Sequence, residues 1–195
     1  MKEYKITSGF LDRKRKITFT EDYIEWESGD MKGEEFTRLD KADILDFKHG
    51  MDWIVWYKFT VGQRFTIAVK DKRSKEVKFS FDNYFGLNKS KNQLYLNIVD
   101  DIWNFYYNDV VNMYLDKFYT NGELEIRGTT LGDKGIQLKG RTSFISWDQV
   151  RIKEYSRYFA VYNSTFPDEH STVSHNEYGS ETLWSVLKTI LKKKT

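Results

Sequence analysis

Phe36-Thr-Arg-Leu-Asp-Lys-Ala-Asp-Ile44 decides how this chain is read, because its pattern returns as Phe144-Ile-Ser-Trp-Asp-Gln-Val-Arg-Ile152. Phe47 then corresponds to Tyr155, and Trp53-Ile-Val-Trp-Tyr57 to Tyr158-Phe-Ala-Val-Tyr162 after a three-residue shortening. Each copy runs on through strands into a helix carrying Trp103 or Trp184. Strands followed by a helix, written twice, predict two similar units rather than one continuous sheet.

Around the first copy, apolar and polar residues alternate with a period of two, the pattern of half-buried strands. Ile17 and Phe19 point one way in Lys16–Thr20, and Ile24 and Trp26 do so in Tyr23–Glu27, with a tight turn at Glu21-Asp22 between them. Gly29–Gly33 reads as a second turn, followed by extended Glu34–Leu39 and Ile44–Lys48. Trp53, Val55, Tyr57, Phe59 and Val61 are expected on one face of a longer strand that turns at Gly62-Gln63. Phe65, Ile67 and Val69 alternate in Arg64–Lys70, and Val77, Phe79 and Phe81 in Glu76–Phe81.

From about Asn92 to Phe118 the period changes. Asn97, Asp101, Asn104, Asn108, Asn112 and Asp116 fall at steps of three and four, tracing one solvated stripe on a helix otherwise apolar. The helix would reach roughly 40 Å, more than one small sheet requires, and so reads as a connector shared by two cores. Asn121-Gly122 supplies its stop. Strands resume over Glu123–Arg127, Gly135–Lys139, Ser143–Trp147, Arg151–Tyr155 and Tyr158–Asn163. A second helix, Glu181–Lys194, follows, with Ser180 as its cap and Lys192–Lys194 complementing its dipole.

The 195 residues suffice for one large or two small domains, here divided at 1–118, including the helix of about 92–118, and 119–195. Lys+Arg 31 against Asp+Glu 29 is too balanced for a protein that grips nucleic-acid phosphates. Cys 0 excludes thiol nucleophiles, disulfides and thiolate metal sites. No stretch approaches the roughly 18 apolar residues of a membrane span, and Met1–Phe10 lacks an apolar signal core, so a cytoplasmic location is expected.

The second unit, with its strand pairs, its Phe144–Val150 segment, its aromatic strand Tyr158–Tyr162 and one final helix, resembles bacterial pleckstrin-homology-like (PH/GRAM-like) domains. The first unit resembles the same superfold, with Arg38–Ile44 in the role of Ser146–Ile152. The resemblance implies a mainly β, α+β fold of two seven-stranded antiparallel barrels, each closed by a C-terminal helix, and a binding or scaffolding role rather than catalysis. Lipid-binding relatives use basic residues in the loop joining the first two strands. Here that loop is Glu21-Asp22 in the first unit, and Thr129–Gly135 in the second offers one Lys against one Asp.

Motifs for chemistry are missing. The chain has no Gly-x-Ser-x-Gly elbow, no phosphate-binding Gly-rich loop and no dinucleotide fingerprint, so no catalytic residue and no cofactor is assigned. His170 and His175 lie beside Asp168 and Glu169, but five-residue spacing points the imidazoles apart on a strand or a helix, and no metal site is assigned. His49 beside Gly50 reads as a strand-end residue, and Asp100-Asp101 as a solvated edge.

The expected function is therefore recognition of an unidentified protein or peptide by a bacterial cytoplasmic scaffold, with no nucleic acid and no metal as partner. A partner strand could add to an exposed sheet edge, with Trp56, opposite Val55 and Tyr57, and Lys58 as contacts. The alternative is peripheral binding to an anionic membrane through Arg13, Lys14, Arg15, Lys70, Lys72, Arg73 and Lys75.

Overall fold

The computed structural model describes residues 1–7, 13–27, 36–84 and 89–194. The chain divides into two compact units, Met1–Asn108 and Asp109–Thr195. The predicted Gly29–Gly33 turn and residues 34 and 35 of the following extended stretch lie outside the described residues.

In the first unit β1 (Lys2–Ile6), β2 (Arg15–Phe19), β3 (Tyr23–Glu27) and β4 (Phe36–Asp40) form one antiparallel sheet in that order. A 3-10 turn, Lys41–Asp43, leads into β5 (Ile44–Trp56), which forms a second sheet with β6 (Phe59–Asp71) and β7 (Glu76–Tyr84). Alternation put the expected faces inside: Ile17, Phe19, Ile24, Trp26, Val77, Phe79 and Phe81 are all buried. Trp26 and Phe79, 5.3 Å apart, join the two sheets.

Helix α1 (Lys89–Ile102) closes this unit, and a π turn, Trp103–Tyr107, carries the helical run into α2 (Asn108–Asn121). Widening the turn lets consecutive tyrosines both go inward. The Tyr106 hydroxyl accepts the Thr20 N–H at 3.0 Å and lies 2.7 Å from the Thr20 carbonyl, on the first sheet. The Tyr107 hydroxyl donates to Asp46 at 2.7 Å on the second sheet, and its ring stands edge-on to Phe47 at 4.5 Å. The polar stripe is exposed at Asn97, Asn104, Asn108, Asn112 and Asp116 but not at Asp101. Asp101 is buried, accepting from Lys2 Nζ at 2.5 Å and the Tyr4 hydroxyl at 2.5 Å. Burial first, and then this carboxylate, push the Tyr4 phenol well above its usual range.

The second unit repeats the element order. After α2 ends at Gly122 (φ +73°), β8 (Glu123–Ile126), β9 (Thr129–Gly132), β10 (Gly135–Gln137) and β11 (Phe144–Ser146) form a sheet in sequence order. A turn then leads to β12 (Val150–Glu154), β13 (Tyr158–Asn163) and β14 (His170–Ser174), and α3 (Ser180–Lys194) follows. Helix α3 buries Leu183, Val186, Leu187 and Ile190, while Trp184 is half-buried with the Lys188 ammonium 4.0 Å over its ring. Ser180 is the first residue of α3 rather than the residue before it, and its hydroxyl lies 3.2 Å from the His175 carbonyl and donates to that of Glu177 at 2.6 Å.

Two seven-stranded barrels do not form. The strands make four small open antiparallel sheets, four plus three in each unit, beside the long helical run and the C-terminal helix. The breaks have a local cause. The Lys41–Asp43 turn sends the chain out of the first sheet, so β4 pairs with β3 and β5 with β6, and no ladder joins β4 to β5. The turn between β11 and β12 makes the same break. Closure would have required, in each unit, a ladder across this gap and another joining the first strand to the last.

Candidate functional site

The hairpin of β5 and β6 is longer than its sheet. Both strands run 13 residues, and their ladder extends to the pair Trp56–Phe59. The third strand, β7, stops at Tyr84, which lies opposite Gly62. Beyond Gly62 the hairpin is therefore, among the described residues, a two-stranded ribbon without a third strand. In the second unit the hairpin at the same place in the order, β12–β13, has strands of five and six residues.

The turn lies at Tyr57-Lys58, not at Gly62-Gln63. Gly62 instead sits inside β6 because the chain is tight there: a Cβ would come 2.7 Å from the Asn83 carbonyl oxygen. Tyr57 occupies the left-handed region at φ +54°, where a two-residue hairpin turn usually places glycine. The displaced turn changes which side chains share a face. Phe59 pairs with Trp56, Thr60 with Val55, and the register skips Val61 as a bulge. The expected single face of Trp53, Val55, Tyr57, Phe59 and Val61 is thus split between two.

Neither face is covered among the described residues. Trp53 is 48 % exposed, Val55 59 %, Trp56 70 %, Tyr57 90 % and Phe59 74 %. Lys58, at the apex, is exposed too.

Below the ribbon a charged clasp fixes its root. Arg64 donates from Nε to Asp82 Oδ1 at 2.7 Å and from Nη2 to Oδ2 at 2.9 Å, across the β6–β7 ladder. Tyr84 donates to the same carboxylate at 3.1 Å, and the Lys91 ammonium reaches the Asp82 backbone carbonyl. The Arg64 hydrogen bonds outweigh burial and hold the Asp82 carboxyl below the usual carboxylate range.

No family model, curated protein or solved structure matches this chain.

The residues expected to contact a partner or membrane fall in different places. Trp56 and Lys58 are at the tip of the ribbon. Lys70, Lys72, Arg73 and Lys75 surround the opposite end of β6, roughly 40 Å away along a 13-residue strand. There Lys72 donates to the Ala42 carbonyl at 2.6 Å, Arg73 to Asp43 at 2.8 Å and Lys75 to the Arg38 carbonyl at 3.1 Å. These cations fasten the β6–β7 turn to the β4–β5 connection. Half-buried Lys70 pairs with Asp46 in the ladder. Arg13 is in an ion pair with Glu27, Lys14 is exposed, and Arg15 is half-buried on β2 opposite Ile6.

The histidines also differ from expectation. His49 is inside β5, its Nδ1 2.6 Å from the Tyr95 hydroxyl and its ring stacked on Phe47. His170 is exposed, with Nδ1 3.2 Å from the Pro167 carbonyl, whereas His175 is buried with Nδ1 2.7 Å from Glu181 Oε1. The sequence does carry a clue to the tip: Ile54 and Trp56 are apolar where the opposite face of a half-buried strand should be polar.

Proposed function

We propose that this is a non-catalytic binding protein whose contact element is the tip of the β5–β6 hairpin. One observation supports the reading: large apolar side chains stand exposed on both faces of a ribbon that runs past the end of its sheet. A two-stranded ribbon is marginal in water, and exposed apolar groups concentrated in one place mark interaction surfaces. The ribbon is not a requirement of the fold, since the second unit makes its three-stranded sheet with a hairpin less than half as long. Tyr57 adds support, because an aromatic residue held at positive φ, with its ring in solvent, is a conformational cost that packing does not explain.

A photo-crosslinking amino acid placed at Trp56, compared with one at exposed Lys78 on β7, tests this in cells producing the full chain. Adducts at position 56 several-fold above those at 78 are expected. Equal yields at the two positions would remove the tip as the contact element.

A further inference from the structure

We infer that the hairpin tip docks into the interfacial region of a lipid bilayer carrying anionic headgroups. The inference rests on the tip being the contact element and adds what it contacts. Three features of the tip select a bilayer over a protein groove.

The first is two-sided exposure. Trp53 and Val55 stand on one face, Trp56 and Phe59 on the other, and Tyr57 at the end. A protein surface covers one face of a ribbon, whereas a bilayer interface surrounds an inserted tip. The second is composition. Tryptophan and tyrosine are the residues that settle at headgroup depth, where an amphipathic ring meets both apolar and wet surroundings. The third is charge. No Asp or Glu occurs between Trp53 and Lys70, and from Trp53 to Gln63 the sole charge is that of Lys58 at the apex. Two acids stand at the root, Asp52 and Asp82, on either side of Arg64: Asp52 is opposite it in the β5–β6 ladder and Asp82 is held by its guanidinium, so neither reaches the tip.

Depth follows from the backbone. From Ile54 to the turn is about 10 Å of extended chain, close to the depth that interfacial elements occupy. Deeper insertion is opposed, because the outer edges of a two-stranded ribbon present N–H and C=O groups that hydrocarbon cannot satisfy. The tip is built to seat, not to span. The basic turn at Lys70–Lys75 is at the other end of β6 and takes no part.

The chain has no cysteine, so a single Thr60→Cys carrying an environment-sensitive fluorophore reports from the ribbon while keeping every aromatic and Lys58. With vesicles of phosphatidylcholine and phosphatidylglycerol, emission should shift to the blue and rise several-fold, and the same label at Lys78→Cys should stay unchanged. Partitioning should weaken about fivefold on phosphatidylcholine alone, the effect of one ammonium near an anionic surface. Trp56→Ser with Phe59→Ser should lower it at least tenfold, with circular dichroism unaltered. Silence of the Thr60 label with both vesicles, alongside crosslinks from position 56 to a protein, would overturn the lipid assignment and leave the tip as a protein contact. Silence together with no crosslink would overturn both. Vesicle binding that survives the double variant and vanishes in high salt would assign the contact to basic surfaces elsewhere and also overturn the inference.

Discussion

Tyr57 and Arg127 occupy the same kind of backbone position, and the comparison isolates what is unusual about the first. Arg127, at φ +56°, turns β8 into β9, and its guanidinium reaches the Tyr178 carbonyl and the Glu177 carboxylate, contacts that offset the strained turn. Tyr57, at φ +54°, is 90 % exposed and has a tilted ring contact with its neighbour Trp56, itself exposed, at 6.5 Å. Tyr57→Gly should therefore raise stability by about 1 kcal/mol, read as a higher midpoint in urea, while weakening whatever contact the tip makes. Two titrating side chains tie stability to pH in opposite directions. Asp82 has its folded pKa depressed, so its contribution is complete above the ordinary aspartate value of about 4 and is lost as pH falls through the folded value. Thermal melts should show Asp82→Asn losing less stability than the parent between pH 5 and pH 2.5. His175 behaves oppositely. Burial disfavours its imidazolium, but the hydrogen bond to Glu181, with the charges of Glu181 and Glu154, prevails and raises its pKa. That contribution is complete below about pH 6.5 and is lost as pH rises through the higher folded value, so melts of His175→Gln should vary less than the parent's from pH 6 to pH 9.

Among the elements, the hairpin allows the most direct test of dispensability. Replacing Ile54–Gly62 by Asn-Gly, a strong two-residue turn, should change the melting temperature by no more than about 3 °C, because the removed residues lie at or beyond the end of β7. A loss of cooperative unfolding would show the ribbon to be part of the core. The same hairpin marks where sequence reading succeeds and fails. β2, β3 and β7 are legible since their apolar residues alternate on the core face, although Thr18 of β2 and Asp82 of β7 are buried on the other face as well. β1 is not, because Lys2-Glu3-Tyr4-Lys5-Ile6 is an edge strand burying little beyond Ile6. The turn at Tyr57-Lys58 carries no turn-forming residue, whereas Gly62-Gln63 does and is strand, its glycine required by a close neighbour rather than by a bend. That error also misaligns the repeat: Trp53–Tyr57 falls at the end of β5, yet Tyr158–Tyr162 lies in β13, which takes the place of β6. The Phe36–Ile44 and Phe144–Ile152 match fares better, since both run from a fourth strand through a short turn into a fifth. The α1–α2 run is read correctly apart from Asp101. A period of 3.6 places it on the solvated stripe, and only tertiary structure brings Lys2 and Tyr4 to it.

For the molecule as a whole, alternation tells which face of a strand is buried but not which strand lies beside it, and the expected barrels failed at that point. Four open sheets mean eight edge strands, each with a row of backbone groups lacking a ladder partner on one side among the described residues. Several of these edges are heavily charged: Lys2, Glu3 and Lys5 on β1, Glu123 and Glu125 on β8, and Arg151, Lys153 and Glu154 on β12. Lys153→Val should leave the melting temperature almost unchanged, yet raise light scattering steeply with protein concentration on heating. Charge spent this way protects the chain from its own copies. A molecule that keeps these strand margins charged makes them poor templates for its own kind, and crowding should punish the loss of those border charges well before it reveals any loss of folding.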